Sequence, residues 1–475
     1  MTKISWKQRT LMVAALEADR ILAWARTKSC FLTQLALIHS TSTIKDFGTA
    51  QSDIIPTIAR PLAGSSGPAL ANQNRHSEMN TPDPGIAEPI IRSRMPELDT
   101  IRGVAILLVF WFHGFEFFTP ATPTVPLWER LFLASSKEGW AGVNLFFVLS
   151  GFLITGILLD GLNKPRYYSR FYYRRALRIL PAYYLLLLVL VLLGQVLTLP
   201  QYSSWGFIGL SFIYLSNLTP MFGVPMQYGP LWSLAVEEHY YLLWPTAVRL
   251  FSRRGLLIAA SLICVIEPAL RIYALVFGGR WAGPHRGGTF SYTWMSADGL
   301  ALGALLAIFA RSSRGTRTNL LKLAFLAAVA ATLAVALSNV FPRAVAVGIQ
   351  DTCVNYYAFF VVAGILWVGT GRHKRWVNVR LLSFFGFISY GLYLIHFLSI
   401  ELYNDIVAEF VPVLLVEHSF RKGCLRLLIA GAFATGVAYV SRITYEEFFL
   451  RMKGKNDKPA ETVRAAAAIQ SVVPD

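Results

Sequence analysis

The sequence is short of charge, of acid and of cysteine. Charged residues occupy 15% of its 475 positions and hydrophobic ones 55%, whereas an average soluble domain carries about 25% charge. That balance excludes an ordinary water-soluble globule and predicts a chain that crosses a membrane several times. Acidic residues number 27 against 44 Lys and Arg, for a net charge of +17. Membrane topology and anionic lipid headgroups account for such an excess, so no nucleic-acid partner is expected. The four cysteines are Cys30 near the start and Cys264, Cys353 and Cys424 in or beside apolar runs. They form neither a disulfide framework nor the paired spacing of a metal site, and no metal is expected. The first 93 residues lack a secretory apolar core with a cleavage site. Their mixed charge and the Pro-, Ser-, Asn- and Gly-rich stretch from Pro56 to Pro89 read as a disordered or mis-assigned extension, 1–93, with translation expected to begin at Met79 or Met95.

What is present is a series of apolar spans, at about 101–118, 139–160, 179–199, 234–251, 256–277, 294–310, 320–340, 353–370, 382–404 and 424–442. The fold class is therefore an all-α polytopic bundle of about ten transmembrane helices, with the membrane domain at 94–442. A shorter apolar run at 206–220, broken by Asn217 and Pro220, reads as a re-entrant or interfacial segment. With ten spans and an inside N-terminus, the inside loops after the first span and the tail to Lys458 hold twenty Lys and Arg, while the outside loops hold seven. This asymmetry favours ten spans with both termini cytoplasmic. Residues 443–475 read as a basic, disordered cytoplasmic tail, with no room for a second enzymatic domain.

Against this apolar background the ionisable residues stand out, because each is expensive inside a bilayer and reads first as functional. Arg102 and His113 are eleven residues apart, which at about 100° per residue returns to within about 20° of the same direction and separates them by about 16 Å along one helical face. Asp99 falls near that face. The plainer reading is an Asp–Arg pair that snorkels at the helix start, with a histidine satisfied by a neighbouring helix.

Further along, Gly142, Ser150 and Gly151 are small residues that allow a helix or a ligand to approach closely. Arg174, Arg175 and Arg178 sit at an expected membrane edge, and Arg174 and Arg178, one turn apart, can face one partner. Guanidinium groups suit bidentate phosphate recognition, although a topology signal with lipid headgroup contact explains them too. Glu237, Glu238 and His239 enter the 234–251 span; the two carboxylates point about 100° apart, so at most one fully shares a given pocket. Either suits a general base or the group that orients one, while Trp232, Tyr240, Tyr241 and Trp244 would equally suit an interfacial aromatic belt. Asp298 lies near the end of a span, and Ser389 and His396 lie seven residues apart on nearly one face; inter-helix hydrogen bonds are the plainer reading of both.

In order and spacing these segments resemble the integral-membrane acyltransferase 3 family over about residues 95–442. The resemblance rests on Leu98-Asp-x-x-Arg-Gly with His113, Phe146-Phe-Val-Leu-Ser-Gly-Phe-Leu-Ile, Arg174-Arg-x-x-Arg-Ile-x-Pro, Leu231-Trp-Ser-Leu-Ala-Val-Glu-Glu and Ser389-Tyr-x-x-Tyr-Leu-x-His. It implies O-acylation of a sugar or exported polysaccharide with acyl-CoA, commonly acetyl-CoA, as co-substrate and no permanently bound cofactor. It further implies that His113 is catalytic and that Arg102 and the arginines 174, 175 and 178 serve the donor. His239-Tyr240 replace the Gln-Phe usual in the family, which leaves the role of His239 open. Some relatives carry a fused extracytoplasmic esterase-like domain, for which this chain is expected to have no room.

Combining residues and resemblance, His113 is expected to act as general base on the acceptor hydroxyl, with Glu237 or Asp298 orienting the imidazole or the sugar. Asp99, Ser150, Glu238, Ser389 and His396 support the site, and an acyl-enzyme on Ser150 or His113 is the variant. The expected partners are acyl-CoA, a carbohydrate acceptor and membrane lipid, in a bacterial inner membrane. Trp205, Tyr214, Tyr228 and Trp232 are candidates for stacking on sugar rings. A polytopic transporter would use the same His, Glu and Asp as a relay; it lacks support from any inverted repeat or paired broken helices.

Overall fold

A computed structural model of the chain describes residues 90–452 except 93, 116–125, 197–198, 279–284, 287–288, 339, 372 and 412–419. The chain divides into two units, residues 1–80 and 81–475; the first, and with it nearly all of the expected extension, lies outside the described residues. The folded part begins slightly earlier than the expected residue 94, since Ile90 is buried and the Arg92 guanidinium donates to the Gly369 carbonyl at 3.1 Å.

Thirteen helices follow among the described residues: α1 (Glu97–Phe115), α2 (Leu127–Ser136), α3 (Ala141–Gly161), α4 (Tyr167–Val191), α5 (Trp205–Phe212), α6 (Leu231–Leu250), α7 (Arg253–Phe277), α8 (Asp298–Ala310), α9 (Arg317–Ser338), α10 (Arg343–Gly369), α11 (Arg380–Phe410), α12 (Phe420–Ile443) and α13 (Tyr445–Arg451). A two-residue antiparallel ladder, β1 (His285–Arg286) with β2 (Thr289–Phe290), supplies the only strands described. Eight described helical stretches are long and apolar enough to cross a membrane. Two more expected spans correspond to α6, whose Glu237, Glu238 and Arg249 lower its hydropathy, and to α8. At 13 residues α8 is about 20 Å long, shorter than a bilayer core of about 30 Å, and it is buried almost all round. A helix that starts within the protein can be short, because its free backbone groups meet protein rather than lipid.

The 206–220 segment does not cross. Its helix α5 has eight residues, about 12 Å, after which Tyr214 takes a left-handed φ of 59° and a 3-10 turn runs Ser216–Phe222. Helices α3 and α6 also run in the same direction: Ser150 contacts Glu237, and further along both helices Thr155 meets Tyr240 and Trp244. The chain between them therefore makes one return crossing, which α4 supplies.

Close helix approach is set by small residues. A β-carbon on Gly103 would overlap the Leu382 carbonyl, and one on Gly386 would overlap the Asp99 carbonyl, so α1 and α11 interlock reciprocally. They are parallel and in register: Thr100 meets Ser383 at 3.1 Å, and thirteen residues later on each helix His113 meets His396. Gly151 and Gly303 lock α3 to α8 in the same way, against the carbonyls of Leu300 and Val148. Around this interior, α7, α9 and α12 turn large apolar side chains outward, among them Val265, Phe325 and Leu428, as lipid-facing helices must.

Residues 445–451, assigned to an unstructured tail from the sequence, form α13 instead. Its Glu447 pairs with Arg442 at 2.9 Å, and the Tyr445 hydroxyl donates to the Pro181 carbonyl at 3.3 Å. Residues 453–475 lie outside the described part.

Candidate active site

Two apolar clusters make the core, one centred on α3, α8 and α10 and one on α4, α6 and α11. Phe146, Val143 and Tyr390 pack against both, and the same side chains line a partly open cavity at the seam. Five helices deliver polar groups into it: Arg102 from α1, Ser150 from α3, Arg175 and Arg178 from α4, Glu237 and Glu238 from α6, and Ser389 from α11. Residues that lie up to 287 positions apart in the sequence thus share one apolar-walled space.

Within it the two adjacent glutamates differ, as their 100° separation requires. The Glu237 carboxylate accepts hydrogen bonds from Ser150 Oγ at 2.9 Å and from the Tyr241 hydroxyl at 3.0 Å. The Arg175 guanidinium lies 5.3 Å from the Tyr241 ring centroid, a cation–π distance. Glu238 lines the cavity without a hydrogen bond among the described residues. Arg102 is held by Asp99 at 2.8 Å in an i,i+3 pair at the start of α1, and Ser389 donates to the Gly386 carbonyl at 2.9 Å. Arg174 parts from its neighbours, lining a separate pocket with Lys164 and Arg170. Adjacent residues on a helix point about 100° apart, so a run of arginines divides between two pockets.

His113 stands at the opposite end of α1 from Arg102. Its Nδ1 lies 2.9 Å from the Val109 carbonyl and 3.2 Å from His396 Nε2. His396 is fully buried, and its Nδ1 lies 2.7 Å from the Tyr393 carbonyl. Tyr393 also lines the cavity, with its hydroxyl 2.5 Å from Ser233 Oγ, and so adjoins both the arginine-rich space and His396. The far end of α1 is fixed by Arg426, a buried guanidinium that donates to the Gly114 carbonyl.

Neither carboxylate expected to orient His113 touches it. Glu237 holds Ser150 and Tyr241, and Asp298 sits in a different place. The Asp298 carboxylate receives Arg271 at 2.8 Å, Thr352 at 2.7 Å and Asn355 at 2.8 Å, while its backbone N–H donates to Glu267 at 2.7 Å. Asn144 of α3 donates to Asn355 at 2.8 Å, so this cluster ties α3, α7, α8 and α10 together. Arg271 and Glu267 escaped the sequence reading, although a Glu–Arg pair spaced i,i+4 inside an apolar span was the signal for them. The aromatic residues also differ from expectation. Tyr228 is fully buried, with its hydroxyl donating to the Leu394 carbonyl, and cannot stack on a sugar. Tyr240 and Trp244 face Thr155 of α3 inside the protein and do not form a lipid-interface belt. His239 bonds the Thr293 hydroxyl at 2.6 Å, which Asn217 also reaches at 3.0 Å.

The fold and this arrangement define a polytopic helical membrane protein with a cationic, carboxylate-bearing cavity between its helices. Residues 95–443 match the acyltransferase domain family acyltransferase 3, and the chain belongs to that family. It is 32% identical over 176 residues to the peptidoglycan O-acetyltransferase OatA of Listeria monocytogenes, covering 34% of this chain and 25% of that protein. It is 34% identical over 167 residues to the provisionally named peptidoglycan O-acetyltransferase YrhL of Bacillus subtilis, covering 32% and 23%. A provisionally named O-acetyltransferase of Staphylococcus aureus, SAS0844, is 30% identical over 170 residues, covering 32% and 24%. The matched stretch thus spans about a quarter of the length of these relatives. No solved structure matches the chain.

Proposed function

We propose that the protein is a membrane-bound O-acyltransferase that moves an acyl group, acetyl by analogy with its relatives' names, from acyl-CoA to a hydroxyl of a sugar or exported polysaccharide. The observation that carries this reading is the convergence of Arg102, Arg175 and Arg178 on one apolar-walled cavity, with His113 about 16 Å further along the helix that bears Arg102. Three guanidinium groups suit the phosphates of coenzyme A, and the apolar walls suit its narrow pantetheine arm. Arg174, with Lys164 and Arg170, offers a second cationic pocket toward which the nucleotide end can extend.

In this reading His113 takes the proton of the acceptor hydroxyl as its oxygen attacks the thioester carbonyl. The carbon–oxygen bond forms, the carbon–sulfur bond breaks, and the imidazolium returns the proton to the departing thiolate. Glu237 keeps Ser150 and Tyr241 in place beside the donor arginines, and Glu238 is the carboxylate free to meet an incoming group. Asp298 is assigned a supporting place, through the packing of α8 on α3. The relatives' names favour a glycan of the cell envelope as acceptor. The twenty-to-seven distribution of cations supports both termini, and the donor side, facing the cytoplasm.

Equilibrium binding of CoA and acetyl-CoA to protein in lipid nanodiscs tests the donor site. Arg175→Ala is expected to weaken binding about tenfold to a hundredfold, the range for losing a charged hydrogen bond of about 1.5–3 kcal/mol. Equal affinity in the wild type and in Arg102→Ala, Arg175→Ala and Arg178→Ala overturns the assignment.

A further inference from the structure

The histidine pair carries a proton assignment that the geometry alone determines. The Tyr393 carbonyl can only accept, so His396 Nδ1, 2.7 Å away, carries a hydrogen and donates to it. Neutral His396 then presents a lone pair at Nε2. That atom faces His113 Nδ1 at 3.2 Å, and two lone pairs pointing at each other there would repel. His113 Nδ1 therefore carries the hydrogen, which also satisfies the Val109 carbonyl at 2.9 Å. With Nδ1 protonated, the neutral His113 ring holds its lone pair at Nε2, which has no hydrogen-bond partner among the described residues.

We propose that His396 is the positioning residue of the transfer reaction: sharing His113 Nδ1–H with the Val109 carbonyl, it holds the ring from the neighbouring helix in the orientation in which His113 Nε2 is the proton acceptor. The inference rests on the reading of His113 as general base, and gives the orienting role to an imidazole where a carboxylate was expected. The tautomer of one ring nitrogen is set by the hydrogen bond of the other, and the logic is that of a base held by a third group. When His113 takes the hydroxyl proton at Nε2, the imidazolium keeps its Nδ1–H on His396, so the acceptor stays matched through the step. The surroundings make the arrangement rigid. His396 is fully buried, its ring lies 5.5 Å from that of Tyr393 and 6.2 Å from that of Phe110, and Phe397 stands 5.3 Å from His113. The parallel register of α1 and α11, enforced by Gly103 and Gly386, places the two rings opposite each other.

The test is 15N NMR of histidine-labelled protein in nanodiscs, with the His113 signals assigned by difference from His113→Ala. The expected spectrum has Nδ1 of His113 protonated and pyrrole-like and Nε2 unprotonated and pyridine-like; the reverse pattern in the wild type overturns the proposal with no variant required. His396→Leu removes the acceptor. The Val109 carbonyl still accepts from Nδ1, so the tautomer is expected to persist, while loss of the cross-helix contact frees the ring and lowers kcat about tenfold to a hundredfold with donor KM little changed. His396→Gln, which keeps an acceptor and a donor, is expected to restore most of kcat. An unaltered kcat in His396→Leu also overturns it. Should His113→Ala remain active while the wild-type spectrum is as expected, the general-base reading fails and the tautomer assignment stands.

Discussion

At the scale of single residues, the chemistry is divided between the two ends of one helix. Arg102 near the start of α1 belongs to the cationic cavity, and His113 near its end belongs to the histidine pair. His113→Ala is expected to lower acyl transfer by about 10²–10⁴, the usual worth of a positioned general base, with the thermal unfolding of the protein unchanged; transfer assays beside a melting curve check it. Much of this was legible, because an ionisable side chain in an apolar run announces itself. Arg102, His113, Ser150, Glu237, Glu238, Ser389 and His396 were all singled out on that basis or by motif. What spacing could not give was pairing across helices. That His113 meets His396 while Glu237 meets Ser150 depends on the register between helices far apart in sequence, and nothing local encodes it. The same limit explains Asp298, whose partner Arg271 lies on another helix.

At the scale of elements, the site depends on two interlocked helix pairs. Gly103 and Gly386 bring the α1 and α11 backbones into contact, and Gly386→Leu is expected to force them apart at a cost of about 1–3 kcal/mol or more, lowering the unfolding temperature and separating the histidines. Gly209 in α5 has open space around it, and Gly209→Ala is expected to leave the melting temperature unchanged or slightly raised. Thermal melts of the two variants side by side measure the contrast. Asp298 and Arg271 form a buried ion pair, and removing one partner strands the other. Asp298→Ala is expected to destabilise by about 3–5 kcal/mol, and the paired replacement of Asp298 by Leu and Arg271 by Met to recover most of that loss. A double variant no more stable than the single one would show that the pair matters through other contacts. Of the small residues at these crossings only Gly151 stood out in the sequence as a point of close approach; Gly103, Gly303 and Gly386 did not, because which helix each admits is not written locally.

At the scale of the whole molecule, hydropathy and charge located the bundle and most of its spans before any coordinates. The two spans that it described least well are informative. Helix α6 carries the carboxylates of the cavity, and α8 starts inside the protein, so function and burial displace both from the simple rule of a long apolar helix. Accessibility labelling of cysteines introduced singly into the loops before α9 and after α10 checks the topology: both are expected to react from the cytoplasmic side, as their arginines predict. The most direct measurement is of labelled acetyl-CoA supplied to the protein in lipid, following thioester cleavage and label transfer to glycan for the wild type and His113→Ala. The expected result is donor consumption by the wild type that His113→Ala abolishes while still binding CoA. Absence of both donor binding and donor consumption in the wild type, or equal consumption by the two proteins, contradicts a His113-centred acyltransferase.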